Sequence, residues 1–175
     1  MRNYITKVTI CLWLSIFIIP LKIIAQEKPY REPDGLNNWY VELGGAAFLY
    51  SLNYEKILYK STSLGWVGRV GVAYSFTDGR LLNKIDMEKG AVLSPFTTSV
   101  LLGSRERKEK IELGIGFTLI NKSANEREIV PTAAIGFRVI ETNKVCFRMS
   151  YTPFIRDGKY ESWFGVSIGR NFSVK

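Results

Sequence analysis

The stretch Ile111-Glu112-Leu113-Gly114-Ile115-Gly116-Phe117-Thr118-Leu119 decides the fold class of this chain. Its odd positions carry large apolar side chains, and its even positions carry glutamate, glycine or threonine. A period of two puts all the bulk on one face of an extended strand. A helix would need apolar residues at i, i+3, i+4 and i+7, and no window beyond the first 25 residues sustains that spacing.

The same alternation recurs on both sides of this segment. Upstream, Trp39, Val41 and Leu43 alternate with Tyr40, Glu42 and Gly44, and Tyr50, Leu52 and Tyr54 alternate with Ser51, Asn53 and Glu55. A tight turn near Ala46–Leu49 joins these two as a hairpin. The third segment sets Leu64, Trp66, Val70, Val72, Tyr74 and Phe76 against Gly65, Val67, Arg69, Gly71, Ala73 and Ser75. The fourth, about Val92–Gly103, has its phase blurred by Pro95 and by Thr97-Thr98-Ser99. Downstream, Ala133, Ile135, Phe137 and Val139 stand opposite Thr132, Ala134, Gly136 and Arg138, and Val145, Phe147, Met149 and Tyr151 stand opposite Cys146, Arg148, Ser150 and Thr152. The last segment places Phe164, Val166, Ile168 and Phe172 opposite Trp163, Gly165, Ser167 and Gly169. Eight such segments predict an all-β fold. Their length suits the roughly 9–11 residues of a tilted membrane-spanning strand.

The N-terminus reads as an address. Arg2 and Lys7 precede an uncharged run, Val8–Leu21, and Ile23-Ile24-Ala25 follows it. This is the order of a secretory signal peptide over residues 1–25, with cleavage after Ala25. The run falls short of the roughly 20 apolar residues of a spanning helix, and Lys22 interrupts it. Residues 26–38, with Pro29, Pro33, Asp34 and Gly35, form a polar N-terminal lead, and residues 39–175 form the folded domain. At 46% hydrophobic and 13% aromatic the chain is too apolar for a disordered protein.

The identity of the two faces separates a soluble barrel from a membrane barrel. A lipocalin-like carrier turns its large apolar side chains inward around a cavity. Here the apolar face is broad and aromatic, while the other face is mostly Gly, Ala, Ser and Thr, which fit a narrow lumen. A closed barrel satisfies every backbone group in lipid without an edge. The sequence therefore predicts an eight-stranded antiparallel up-and-down transmembrane β-barrel, with a secreted lipocalin-like barrel binding a small apolar ligand as the alternative. With a periplasmic N-terminus, the connections at 77–90, 121–127 and 155–161 share the outer side, and those at 57–63, 104–110 and 141–144 share the periplasmic side. The segment at 77–90 is the longest, and is the candidate contact for an external partner.

Tyr40-Val41-Glu42-Leu43-Gly44-Gly45, Tyr50-Ser51-Leu52-Asn53-Tyr54-Glu55, Ile111-Glu112-Leu113-Gly114-Ile115-Gly116 and Gly165-Val166-Ser167-Ile168-Gly169 resemble a family of small bacterial outer-membrane β-barrel proteins of uncharacterised function, porin-like or OmpX-like in form. The resemblance spans Trp39 to Phe172. Its motifs are strand patterns, so it implies a fold, an outer-membrane location, lipid and the barrel-assembly machinery as partners, and no reaction. Barrels of this kind commonly end on an aromatic residue, whereas here Ser173-Val174-Lys175 follows Phe172.

The chemistry search returns few candidates. Histidine is absent, which removes His-dependent triads and His metal sites. Asp78, Asp86 and Glu88 lack calcium-loop spacing and read as solvated loop charge. Gly114-Ile115-Gly116 precedes no helix and is no phosphate cradle. Arg105-Glu106-Arg107-Lys108-Glu109-Lys110 mixes acids with bases in a turn and is a poor nucleic-acid surface. Cys146, the one cysteine of the mature chain, falls on the small inward face as an inert thiol. We therefore expect no catalysis, no cofactor, no metal, no nucleic acid and a monomer.

One constellation stands out. Glu42, Glu55, Glu112, Arg69, Arg138 and Arg148 all fall on the inward face of their strands. Three acids and three arginines in a narrow lumen can satisfy one another through bidentate pairs. They form either a polar plug that rigidifies the barrel or a selectivity element of a minor pore, and the plug is favoured because eight strands leave an interior that side chains can fill.

Overall fold

The computed structural model describes residues 36–173 apart from 77, 82–84, 123–125 and 142–144. The segment 1–25, read above as a signal peptide, and most of the 26–38 lead lie outside the described residues.

Twelve strands are present among the described residues: β1 (Leu36–Gly44), β2 (Tyr50–Lys60), β3 (Leu64–Tyr74), β4 (Gly79–Leu81), β5 (Ile85–Met87), β6 (Val92–Leu102), β7 (Glu109–Asn121), β8 (Arg127–Val139), β9 (Val145–Tyr151), β10 (Phe154–Arg156), β11 (Lys159–Glu161) and β12 (Phe164–Ser173). Eight of them, β1, β2, β3, β6, β7, β8, β9 and β12, pair antiparallel in that order, and β12 pairs back onto β1. The sheet thus closes on itself as the alternation predicts, and no barrel strand is left with a free edge. β4–β5 and β10–β11 are short hairpins in the two longest connections at one end.

Side chains sort by the period of two. Ile115 and Phe164 are each 69% exposed on the outer wall, whereas Glu112 and Arg138, inside, are 0% and 1% exposed. This is the inverse of a soluble core. The blurred fourth segment resolves the same way: Val92, Phe96 and Leu102 face out, and Leu93, Thr97, Ser99 and Leu101 face in.

Three local features depart from the alternation. β1 begins at Leu36, three residues before Trp39, because Asn37 and Asn38 continue its ladder with β2 and β12. β2 runs on to Lys60, although the sequence pattern turns at Ile57. A register shift between Ile57 and Tyr59 explains the lost pattern, since a bulge leaves Leu58 and Tyr59 both exposed on the outer wall. The β10–β11 hairpin interrupts the outer connection at 155–161, where its turn residues Asp157 and Gly158 both have positive φ, 51° and 71°. Asp-Gly is the pair that such a two-residue turn favours, so this hairpin was legible in the sequence.

Candidate functional site: a filled lumen

All six inward charges meet. Glu55 of β2 and Arg69 of β3 are direct cross-strand neighbours, and Arg69 Nε and Nη2 donate to Glu55 Oε2 at 3.2 and 2.7 Å. Arg69 Nη2 also donates to Glu112 Oε1 at 2.9 Å. Arg138 donates through Nε to Glu112 Oε2 at 3.0 Å and through Nη2 to Glu55 Oε2 at 3.0 Å. Two further contacts, Nη1 to Glu55 Oε1 and Nη2 to Glu112 Oε2, make it bidentate to Glu55 and place two of its donors on the one Glu112 oxygen. Because β2 and β8 lie four places apart in the ring of eight, the Arg138–Glu55 pair spans the lumen. Arg148 Nε donates to Glu112 Oε2 at 2.8 Å, and its Nη1 donates to Glu42. Ser167 Oγ donates to the same Glu42 oxygen at 3.2 Å.

The six side chains are almost fully buried, with Arg69 the most exposed at 6%. Burial of isolated charge is prohibitive, so the fork geometry of arginine matters: each guanidinium holds two carboxylates at once. Tyr40 caps the group, with its ring centroid 5.3 Å from the Arg69 guanidinium carbon.

Three parts of the lumen escaped the sequence reading. The first connection is more than a tight turn: Gly45–Ala47 forms a 3-10 turn and, with Phe48, packs inside the mouth of the barrel. Thr118 Oγ1 donates to the Ala46 carbonyl at 2.6 Å, and Trp163 Nε1 donates to the Phe48 carbonyl at 3.0 Å. Met87, Leu93, Ile120, Val130, Phe154 and Trp163 complete an apolar lid around it. The signal available was Ala46-Ala47-Phe48, too apolar for a solvated turn. At the other end, Val67, Leu101 and Ile140 form a smaller apolar cluster against Ile57. Beside it, Lys110 points inward and donates to the carbonyls of Gly103 and Ser104 at 3.3 and 2.6 Å. Finally, Arg156 forms a bidentate pair with Glu128 at 2.6 and 2.8 Å, with Lys122 Nζ 3.4 Å from the same carboxylate.

The lumen is therefore layered. An apolar lid closes the hairpin end, the paired charges fill the middle, and a second apolar cluster lies toward the short-turn end. Cys146 is buried on the inward face with no disulfide.

Two solved structures share this architecture. The N-terminal β-barrel domain of Pseudomonas aeruginosa OprF superposes with a TM-score of 0.51 over 79% of this chain and 96% of that one, at 11% identity. The Yersinia pestis outer membrane protein Ail, in a phospholipid bilayer nanodisc, superposes with a TM-score of 0.52 over 79% of this chain and all (100%) of that one, at 9% identity. The chain has the fold of the small outer-membrane β-barrels. No family model matches the sequence, and no curated protein matches it. At such low identity the likeness is one of strand number, closure and inverted packing, which is what the alternating sequence encodes.

Proposed function

We propose that the mature chain is an integral outer-membrane protein, a barrel whose lumen is sealed and whose role is structural or surface-interacting, without catalysis. The observation that carries this reading is the inside-out distribution of side chains. An outer wall exposing Val41, Leu52, Ile115, Phe117, Ile135 and Ile168 has no stable place in water, whereas a bilayer covers it. The lumen holds six paired charges between two apolar clusters, which argues against the minor-pore role and against the lipocalin-like alternative. A carrier of apolar ligands would line its interior with apolar side chains and leave room there.

Under this reading the end bearing β4–β5 and β10–β11 faces outward, and the connection around 77–90 is the contact point for an external partner. Barrel-assembly machinery would insert the chain after cleavage near Ala25, and the chain acts as a monomer.

Fractionation tests the reading. The mature protein should stay with the outer membrane and show heat-modifiable mobility in a detergent gel. Recovery in a soluble fraction without detergent would refute it.

A further inference from the structure

The outer wall carries a polar interruption on β1, β2, β3, β6 and β12. Across four neighbouring strands, Asn37, Lys56, Gly68 and Thr98 are successive partners in the ladder, so they form a single row. One step away on β12, Arg170 pairs with Trp39, and Trp39 pairs with Tyr54. Lys56 and Arg170 are both exposed, and neither is held by an acid among the described residues. On β1, β2, β3, β6 and β12 no Asp or Glu is an outward-facing residue, since Glu42 and Glu55 point into the lumen. Two cations thus flank a tilted aromatic pair, Trp39 and Tyr54, whose ring centroids are 4.8 Å apart. The Tyr54 hydroxyl donates to Asn37 Oδ1 at 3.0 Å, which turns the polar tip of the ring toward the row.

Resting on the membrane reading above, we infer that this patch binds the phosphate of an anionic phospholipid. A cation on a lipid-facing wall is costly unless its head reaches the interface or meets an anion there. Among the described residues, the wall of those five strands supplies no anion, and a second copy of the chain would bring the same two cations together. A lipid phosphate supplies the missing charge at the height of the aromatic ring pair, where amphipathic rings settle at headgroup level. The patch lies toward the barrel end where β1 begins, β12 ends and the short turns lie, so the lipid belongs to the periplasmic leaflet.

The test uses protein extracted from membranes and placed in phosphatidylcholine nanodiscs containing a minority of phosphatidylglycerol. Native mass spectrometry then counts the phosphatidylglycerol retained on release. The wild type should retain it about tenfold over its share of the nanodisc, the double variant Lys56→Gln/Arg170→Gln should lose that excess, and Lys56→Arg should keep it. Heat-modifiable mobility confirms that each variant is folded, and Lys159→Gln in the exposed hairpin is the control that changes charge elsewhere. Equal retention by the wild type and a folded double variant overturns the inference and leaves the membrane reading intact. Displacement of the lipid by millimolar inorganic phosphate overturns the assignment to a lipid source. A protein that does not enter nanodiscs at all overturns both.

Discussion

Arg138 of β8 and Arg148 of β9 stand directly opposite each other in the ladder, and both donate to one oxygen, Glu112 Oε2. Like charges at such a position repel. Glu112 therefore stabilises the β8–β9 seam as well as neutralising the lumen.

Glu112→Gln should cost about 3–5 kcal/mol, since it leaves buried arginines facing each other with reduced compensation. Glu128→Gln, whose carboxylate at the rim is 22% exposed, should cost about 1 kcal/mol or less. Urea unfolding in vesicles measures both. The double variant Glu112→Gln/Arg138→Gln should recover part of the loss, because residues in one network are non-additive. Strictly additive losses would show that the six charges act independently.

The first connection presses on the network. A Cβ at Gly45 would collide with the Glu42 carboxylate, and the residue has φ +65°. Gly158 has φ +71° with nothing within 4 Å of a Cβ. Gly158→Ala thus isolates the backbone penalty of about 1–2 kcal/mol. Gly45→Ala should cost clearly more in the same unfolding assay, and equal losses would mean that the lid does not bear on Glu42.

Trp163→Phe keeps a ring in the lid but removes the N–H donated to the buried Phe48 carbonyl. The loss should be about 1–3 kcal/mol. Because Phe48 itself holds a positive φ of 71°, the first connection should become the earliest site of proteolysis in the variant, detected by limited digestion and N-terminal sequencing.

In planar bilayers the wild type should show no steady conductance, and neither should Glu112→Gln/Arg138→Gln, since apolar clusters flank the charges on both sides. Opening should require truncating the lid as well, for example by adding Phe48→Gly. Steady wild-type conductance with an ion preference altered by the charge variants would replace the sealed lumen with a pore.

Strand number, closure and the identity of the two faces were legible in the sequence, because side chains of a pleated strand alternate regardless of what lies opposite. The inward placement of Glu42, Glu55, Arg69, Glu112, Arg138 and Arg148 followed from the same parity. Their pairing did not, since Arg138 and Glu55 are 83 residues apart and meet only because closure sets β8 across from β2. The lid was equally hidden: Ala46-Ala47-Phe48 has no periodicity, and its burial depends on Trp163 and Phe154 arriving from the opposite end of the chain. Parity is a local property of the backbone and can be read residue by residue. Filling a lumen is a property of the closed ring, in which each side chain's partners are chosen by shear and strand order.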